Sequence, residues 1–316
     1  MLLSYWLRLL CLVFCSIGLT QATLALLLRV QAQALNRALA RINPRWRERA
    51  AFAHAVAPHL AAFLLAGAIV VPQYFCTEPN RLNEHVGILC IIGACLVAGR
   101  YAYSLLRMLS LIRGAIRRGR PGVSVSVAGL PIRLVKSEVP LLAVEGLLSP
   151  RIVASRSLFD QVPLGSIECE IALAHETAHA RHLDNLKLLM LMSLSLPFGA
   201  NSQVRRWHRA AEIAADSDAV GASRSRAILL AQTLLTIARS VPDQPLSDLA
   251  LPLLPHEADL ETRINCLLEE KAIGVSHRRQ FIFLGASLLS LVAFNLLFPL
   301  VLAFSHEFAE FLLHLG

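Results

Sequence analysis

Long apolar runs separated by short arginine-rich stretches dominate the pattern of this chain. Residues 9–28, about 52–75 and 86 to about 108 are each near the 20 or so residues that cross a bilayer as a helix, and a fourth run, 281–304, follows much later. The first run exceeds the roughly 7 to 15 apolar residues of a signal-peptide core, and the arginines after it read as a stop-transfer signal, so it is expected to stay as an anchor. Between the third and fourth runs the pattern changes. Val123, Val125 and Val127 alternate with Ser124 and Ser126, Gly129 and Pro131 punctuate, and residues 132–135 and 151–154 read as further short strands. Helical sequence follows from Ser166, a good N-cap with Glu168 and Glu170 behind it in the first turn. Residues 186–196 are strongly apolar but too few to span readily, and predict a buried or membrane-leaning helix. Residues 242–256, rich in Pro and Asp at their start, predict a loop.

Three regions result. Residues 1–108 are expected to form a three-span membrane region with a basic loop, 109–277 one extramembrane domain, and 278–316 a fourth span with a short tail. Composition agrees: of 316 residues 55% are hydrophobic and only 16% charged, too apolar for an ordinary soluble domain.

Charge sets the expected orientation. Arg29, Arg37, Arg41, Arg45, Arg47 and Arg49 face a single acid, Glu48, between the first two spans, whereas the 76–85 loop carries Glu78 and Glu84 against Arg81. Arg113, Arg117, Arg118 and Arg120 follow the third span, and Arg278 with Arg279 precedes the fourth. By the positive-inside rule the first loop and the 109–277 domain are cytoplasmic, and both termini lie outside. The net charge of +8 is then mostly topogenic and lipid-facing, and direct nucleic-acid binding is not expected. Of seven cysteines, Cys11, Cys15, Cys90 and Cys95 fall in apolar spans, and no disulfide framework or paired-thiolate metal motif is present.

Candidate chemistry is concentrated in His175-Glu176-Thr177-Ala178-His179. Two histidines four apart on a helix project from one face and can share one Zn2+, with Glu176 beside the open position as a general base. His182 and Asn185 stand where a metzincin would carry Gly and a third His, so that class is excluded. A gluzincin takes its third ligand from a later helix, and the Ala-rich stretch 211–216 offers Glu212 as ligand and Asp216 to accept the outer N–H of a ligand histidine. Asp184 falls about 180 degrees round from His175 if the helix continues, which makes it a supporting or structural residue, not a ligand. His182 and His208 are expected at helix ends or in solvent, as are Arg181, Arg205, Arg206 and Arg209. His208 and His256 are the candidates to steady a developing oxyanion.

With these ligands and spans the chain resembles integral-membrane zinc peptidases of the BlaR/MecR type. The likeness covers nearly the whole chain: three spans before the zinc motif and one after, residues 149–153 (Ser-Pro-Arg-Ile-Val), the 175–179 motif followed by Asp184-Asn185, and Glu212 through Asp216 and Asp218. It implies a bacterial inner-membrane protein whose cytoplasmic domain cleaves a winged-helix repressor, or itself, in signal transduction. Members that sense β-lactams carry a penicillin-binding domain beyond the last span; the sequence ends at Gly316, so the peptidase module is expected without that sensor. The chain also resembles HtpX/CAAX-type membrane endopeptidases, whose His-Pro...Arg-Ile segment is similar to residues 256–264, and that likeness implies quality control or processing.

The expected architecture is therefore an α-helical membrane protein with four spans and a cytoplasmic α+β gluzincin-like zinc peptidase domain. Partners are the lipid bilayer and a protein or peptide substrate. The competing expectation is a non-catalytic zinc-binding scaffold, which would have no need of Glu176.

Overall fold

A computed structural model describes residues 2–39, 43–77, 84–117, 122–127, 129–138, 140–194, 201–240, 257–269 and 311. The expected fourth span, the 242–256 loop and His256 lie outside the described residues. The molecule is mostly helical, with a small mixed sheet, and divides into two units. One unit contains Met1–Ile42 and Ala53–Leu106; the other contains Asn43–Phe52 and resumes at Arg107.

In the first unit, strand β1 (Leu2–Leu3) leads into helix α1 (Tyr5–Leu39). Helix α2 (Pro44–Leu65) starts on a proline, whose missing N–H is no loss at a helix N-terminus, and passes through a π-helical turn (Ala66–Val70) into α3 (Val71–Thr77). Strand β2 (Glu84–His85) pairs antiparallel with β1, and α4 (Ile88–Arg117) follows. Three stretches, Tyr5–Leu26, Pro44–Cys76 and Ile88–Gly114, are long and apolar enough to cross a membrane. Their outward faces are apolar, as a lipid-facing surface requires: Leu64, Leu96 and Leu106 are among the exposed leucines. Inward, Tyr5, Leu9, Leu12, Tyr74, Val86 and Cys90 form a core, where the Tyr74 hydroxyl donates to the Tyr5 carbonyl at 2.9 Å. Helices α1 and α4 meet at Gly18, where a Cβ would stand 2.5 Å from Val97 Cγ2; only glycine permits that approach. A polar cluster of Gln21, Arg100 and Tyr101, with His59 Nδ1 3.4 Å from Arg100, draws side chains from three helices together.

The second unit opens with a hairpin, β3 (Gly122–Val127) and β4 (Leu130–Val135), turned at Gly129 with φ of 79°. β5 (Leu142–Glu145) and β6 (Arg151–Ser155) complete a sheet of order β3-β4-β6-β5. β4 and β6 are parallel, Ile132 opposite Ile152, while β5 is an antiparallel edge. The strands expected at 123–127, 132–135 and 151–154 are present, and β5 is an addition. Helices α5 (Arg156–Gln161), α6 (Ile167–Arg181), α7 (Asp184–Leu194), α8 (Asn201–Val220), α9 (Arg224–Ser240) and α10 (Glu257–Leu268) follow.

Helix α6 is buried on two sides. Cys169 and Leu173 pack with Ile132, Ile152, Ala154 and Leu158 on the sheet, while Ile171 packs with Ala219, Ala227, Leu230 and Leu267 among the helices. α8 packs against α6, and its Ala210, Ala211, Ala214 and Ala215 are all buried. The packing of α8 on α6 brings His175 and Glu212 within reach of one another.

Candidate metal centre

Ser166 caps α6, its hydroxyl accepting from the Cys169 N–H at 3.1 Å, so the helix starts where the sequence indicates. His175 and His179 then lie one turn apart, with ring centroids 4.7 Å apart and planes at 79°. Their Nε2 atoms approach to 3.1 Å. From α8, Glu212 presents Oε2 3.6 Å from His175 Nε2 and Oε1 3.4 Å from His179 Nε2. A tetrahedral ion with bonds of about 2.05 Å to nitrogen and oxygen has ligand-to-ligand edges of about 3.3 Å. The Nε2–Nε2 separation is close to that value, and with one ligand atom taken from each residue the three atoms lie within 4.8 Å of one another, so His175, His179 and Glu212 could hold a metal ion.

The outer nitrogens are held as well. His175 Nδ1 lies 2.9 Å from Asp216 Oδ1, a short approach that is poorly aligned for a hydrogen bond. His179 Nδ1 is 2.8 Å from Asp184 Oδ2. Each imidazole therefore turns Nε2 inward and Nδ1 toward a carboxylate, the arrangement that fixes tautomer and ring orientation around a metal.

Asp184 reaches this position because the helix does not continue. α6 ends at Arg181, Leu183 adopts a left-handed φ of 53°, and α7 begins at Asp184. The 180-degree placement that follows from an unbroken helix is therefore corrected: the break swings Asp184 back over the last turn of α6, against His179.

Arg263 on α10 was not singled out as a site residue by its sequence, yet it joins the two carboxylates of α8. Its Nε and Nη2 donate to Asp216 at 2.8 and 2.7 Å, and Nη1 lies 2.8 Å from Glu212 Oε2. Burial raises the carboxyls of Glu212 and Asp216, but Arg263 and the histidines outweigh it and hold both below the usual range. Burial lowers His175, and Asp216 with Glu212 more than reverses this, lifting the imidazole to about 10. Asp184 is likewise held low, burial being outweighed by His179 and Lys187. Glu176 goes the other way: burial pushes its carboxyl up against the opposing pull of His175, His179 and Arg263. It makes no hydrogen bond or ion pair among the described residues and stands outside the converging set.

His208, expected at a helix end or in solvent, is instead half-buried within α8, its Nε2 3.7 Å from Glu212 Oε1, because the face of α8 that carries Glu212 also carries the residue one turn before it. His182 is the C-cap of α6 and lies 3.5 Å from Asp218, which is itself paired with Arg45 at 2.7 Å. Arg181, Arg205 and Arg209 are exposed and Arg206 is half-buried. No protein-family model, curated protein or solved structure matches this chain.

Proposed function

We propose that the chain is a membrane-anchored zinc endopeptidase of the gluzincin kind. The observation that carries this reading is the convergence of His175, His179 and Glu212, with the buried Glu176 within electrostatic reach of all three. Two imidazoles and one carboxylate, leaving a fourth position open, suit catalytic zinc better than a closed structural site. When bound, zinc polarises a scissile carbonyl and lowers the pKa of water to about 7.

The chain's own groups would do the rest. Asp216 and Asp184 keep both Nε2 atoms directed inward. Arg263 keeps Glu212 ionised and therefore able to act as a ligand. Glu176, with its raised carboxyl, takes a proton from the attacking water and delivers it to the leaving amine. His208, 3.7 Å from Glu212, is the candidate to steady the oxyanion.

Resemblance to the BlaR/MecR type supplies the first candidate substrates, a winged-helix repressor or the enzyme itself, and a cytoplasmic site at the bacterial inner membrane. Processing or quality control of the HtpX/CAAX type is the second reading. It is favoured by one specific observation: the arginine of the segment that carries that likeness, Arg263, is bonded to Glu212 and Asp216.

The test is Glu176→Gln in the full-length protein. Zinc content should be unchanged, while cleavage of a co-expressed candidate repressor, or self-cleavage, falls by about 10²- to 10⁴-fold. Undiminished cleavage contradicts the general-base role. A zinc-loaded wild-type protein that cleaves no partner and does not cleave itself supports a scaffold instead.

A further inference from the structure

Beyond the two carboxylates that touch the histidines lies a second layer, and part of it comes from an unexpected place. Asp184 uses both oxygens: Oδ2 faces His179, and Oδ1 accepts from Lys187 Nζ at 3.1 Å. Lys187 also donates to Glu48 Oε1 at 2.9 Å. Glu48 is wholly buried, at 0% exposed, and its Oε1 accepts a further bond from Trp207 Nε1 at 2.8 Å. The chain of contacts runs from Trp207 on α8, five residues before Glu212, through Glu48 on α2 and Lys187 on α7 to Asp184 and so to His179.

Glu48 is the lone acid of the arginine-rich segment between the first two apolar runs, a segment whose composition reads as lipid-facing. Residues Asn43–Phe52, although the Pro44–Cys76 stretch begins among them, nevertheless cluster with the metal-site unit. The two histidines are supported in parallel. Asp216 is neutralised by Arg263, a planar cation that binds it through two nitrogens; Asp184 is neutralised by Lys187. An ammonium is a compact, strongly hydrated charge on a flexible stem, and unlike guanidinium it does not hold a carboxylate in one orientation unaided. A counter-charge on its far side keeps it withdrawn from water.

We propose that Glu48 is a positioning residue for the metal centre, acting through Lys187 and Asp184 on the orientation of His179. This rests on the metal-site reading above. Glu48 pins Lys187, Lys187 fixes the carboxylate plane of Asp184, and Asp184 fixes the ring of His179 and the direction of its Nε2. The segment 43–52 is thus part of the metal centre and not only a connection into the membrane.

The experiment uses the full-length protein in detergent, with zinc affinity measured by chelator competition and the visible spectrum of the cobalt-substituted site as an independent readout. Glu48→Gln keeps the shape and the acceptor for Trp207 but removes the charge. It should weaken zinc binding about tenfold, the low end of the 10- to 100-fold seen for residues that support ligands, and alter the cobalt spectrum. Lys187→Arg should retain most of the affinity, and Lys187→Met should lose it to the same degree as Glu48→Gln.

The double variant Glu48→Gln with Lys187→Met separates positioning from mere adhesion of α2. It removes the buried pair together, so an adhesive role predicts wild-type affinity and spectrum in a folded protein. Positioning predicts that both stay altered, with no additive loss beyond either single change, because the residues act in one path. Unchanged affinity and spectrum in Glu48→Gln, or restoration in the double variant, overturns the inference while leaving the metal site intact. Absence of metal binding by the wild-type protein overturns the metal-site reading itself.

Discussion

One proton, on His175, and the two carboxylates beside it decide what the histidine pair can do at neutral pH. With its imidazole lifted to about 10, His175 is protonated at pH 7 in the metal-free protein, and an incoming ion must displace that proton. Zinc affinity should therefore rise about tenfold per pH unit from about pH 6.5 toward pH 10. The fold without metal responds in the opposite sense. A raised histidine contributes stability that is fully present below its unfolded value near 6.5 and is lost as pH rises through about 10. Calorimetric zinc titrations in buffers of different ionisation enthalpy check this: proton release near pH 7 is expected, and affinity that is flat with pH would contradict it. At this scale His175, Glu176 and His179 were legible because helical spacing alone puts them together. Glu212 and Asp216 were legible for the same reason two helices later. Arg263 was not, since its partner Asp216 is 47 residues away and no local pattern marks an arginine that will be buried.

Among the elements, the break between α6 and α7 matters most. An uninterrupted helix would carry Asp184 to the far side, and His179 would lose its carboxylate. The break depends on Leu183 at φ 53°, a backbone conformation that costs a side-chain-bearing residue roughly 1–2 kcal/mol. Leu183→Ile, β-branched and poorer still in that conformation, should lower the melting temperature and weaken zinc binding together, whereas Leu183→Gly should keep zinc affinity. Equal affinity in both variants would show that the break does not govern Asp184. Nothing in the residue types of 182–184 signals this turn, so the position of Asp184 relative to His179 is not legible in the sequence. Strand β5 was missed for a different reason: residues 142–145 are few, mix Ala and Glu with Leu and Val, and owe their extended form to pairing with β6. Asn185 secures that strand to the site, donating to the Val144 carbonyl at 2.7 Å.

For the whole molecule, the apolar runs were the most legible feature. Three of the runs form helices long and apolar enough to cross a membrane. What composition could not disclose is that residues 43–52 belong with the metal-site unit, because arginine content registers lipid and solvent but not the one acid buried among them. The arginine pattern also makes an orientation prediction. With the remaining cysteines replaced, exposed Cys76 should react with a membrane-impermeant maleimide in intact cells, and Asp160→Cys only after permeabilisation. Labelling of Asp160→Cys from outside would invert the topology and remove a cytoplasmic repressor from consideration.

The central claim, that His175, His179 and Glu212 hold one catalytic zinc, is tested most directly by elemental analysis of the purified full-length protein. The account predicts about one zinc per chain in the wild type and in Glu176→Gln, and loss of that zinc in the His175→Ala, His179→Ala double variant. The same metal content in the double variant as in the wild type would contradict it.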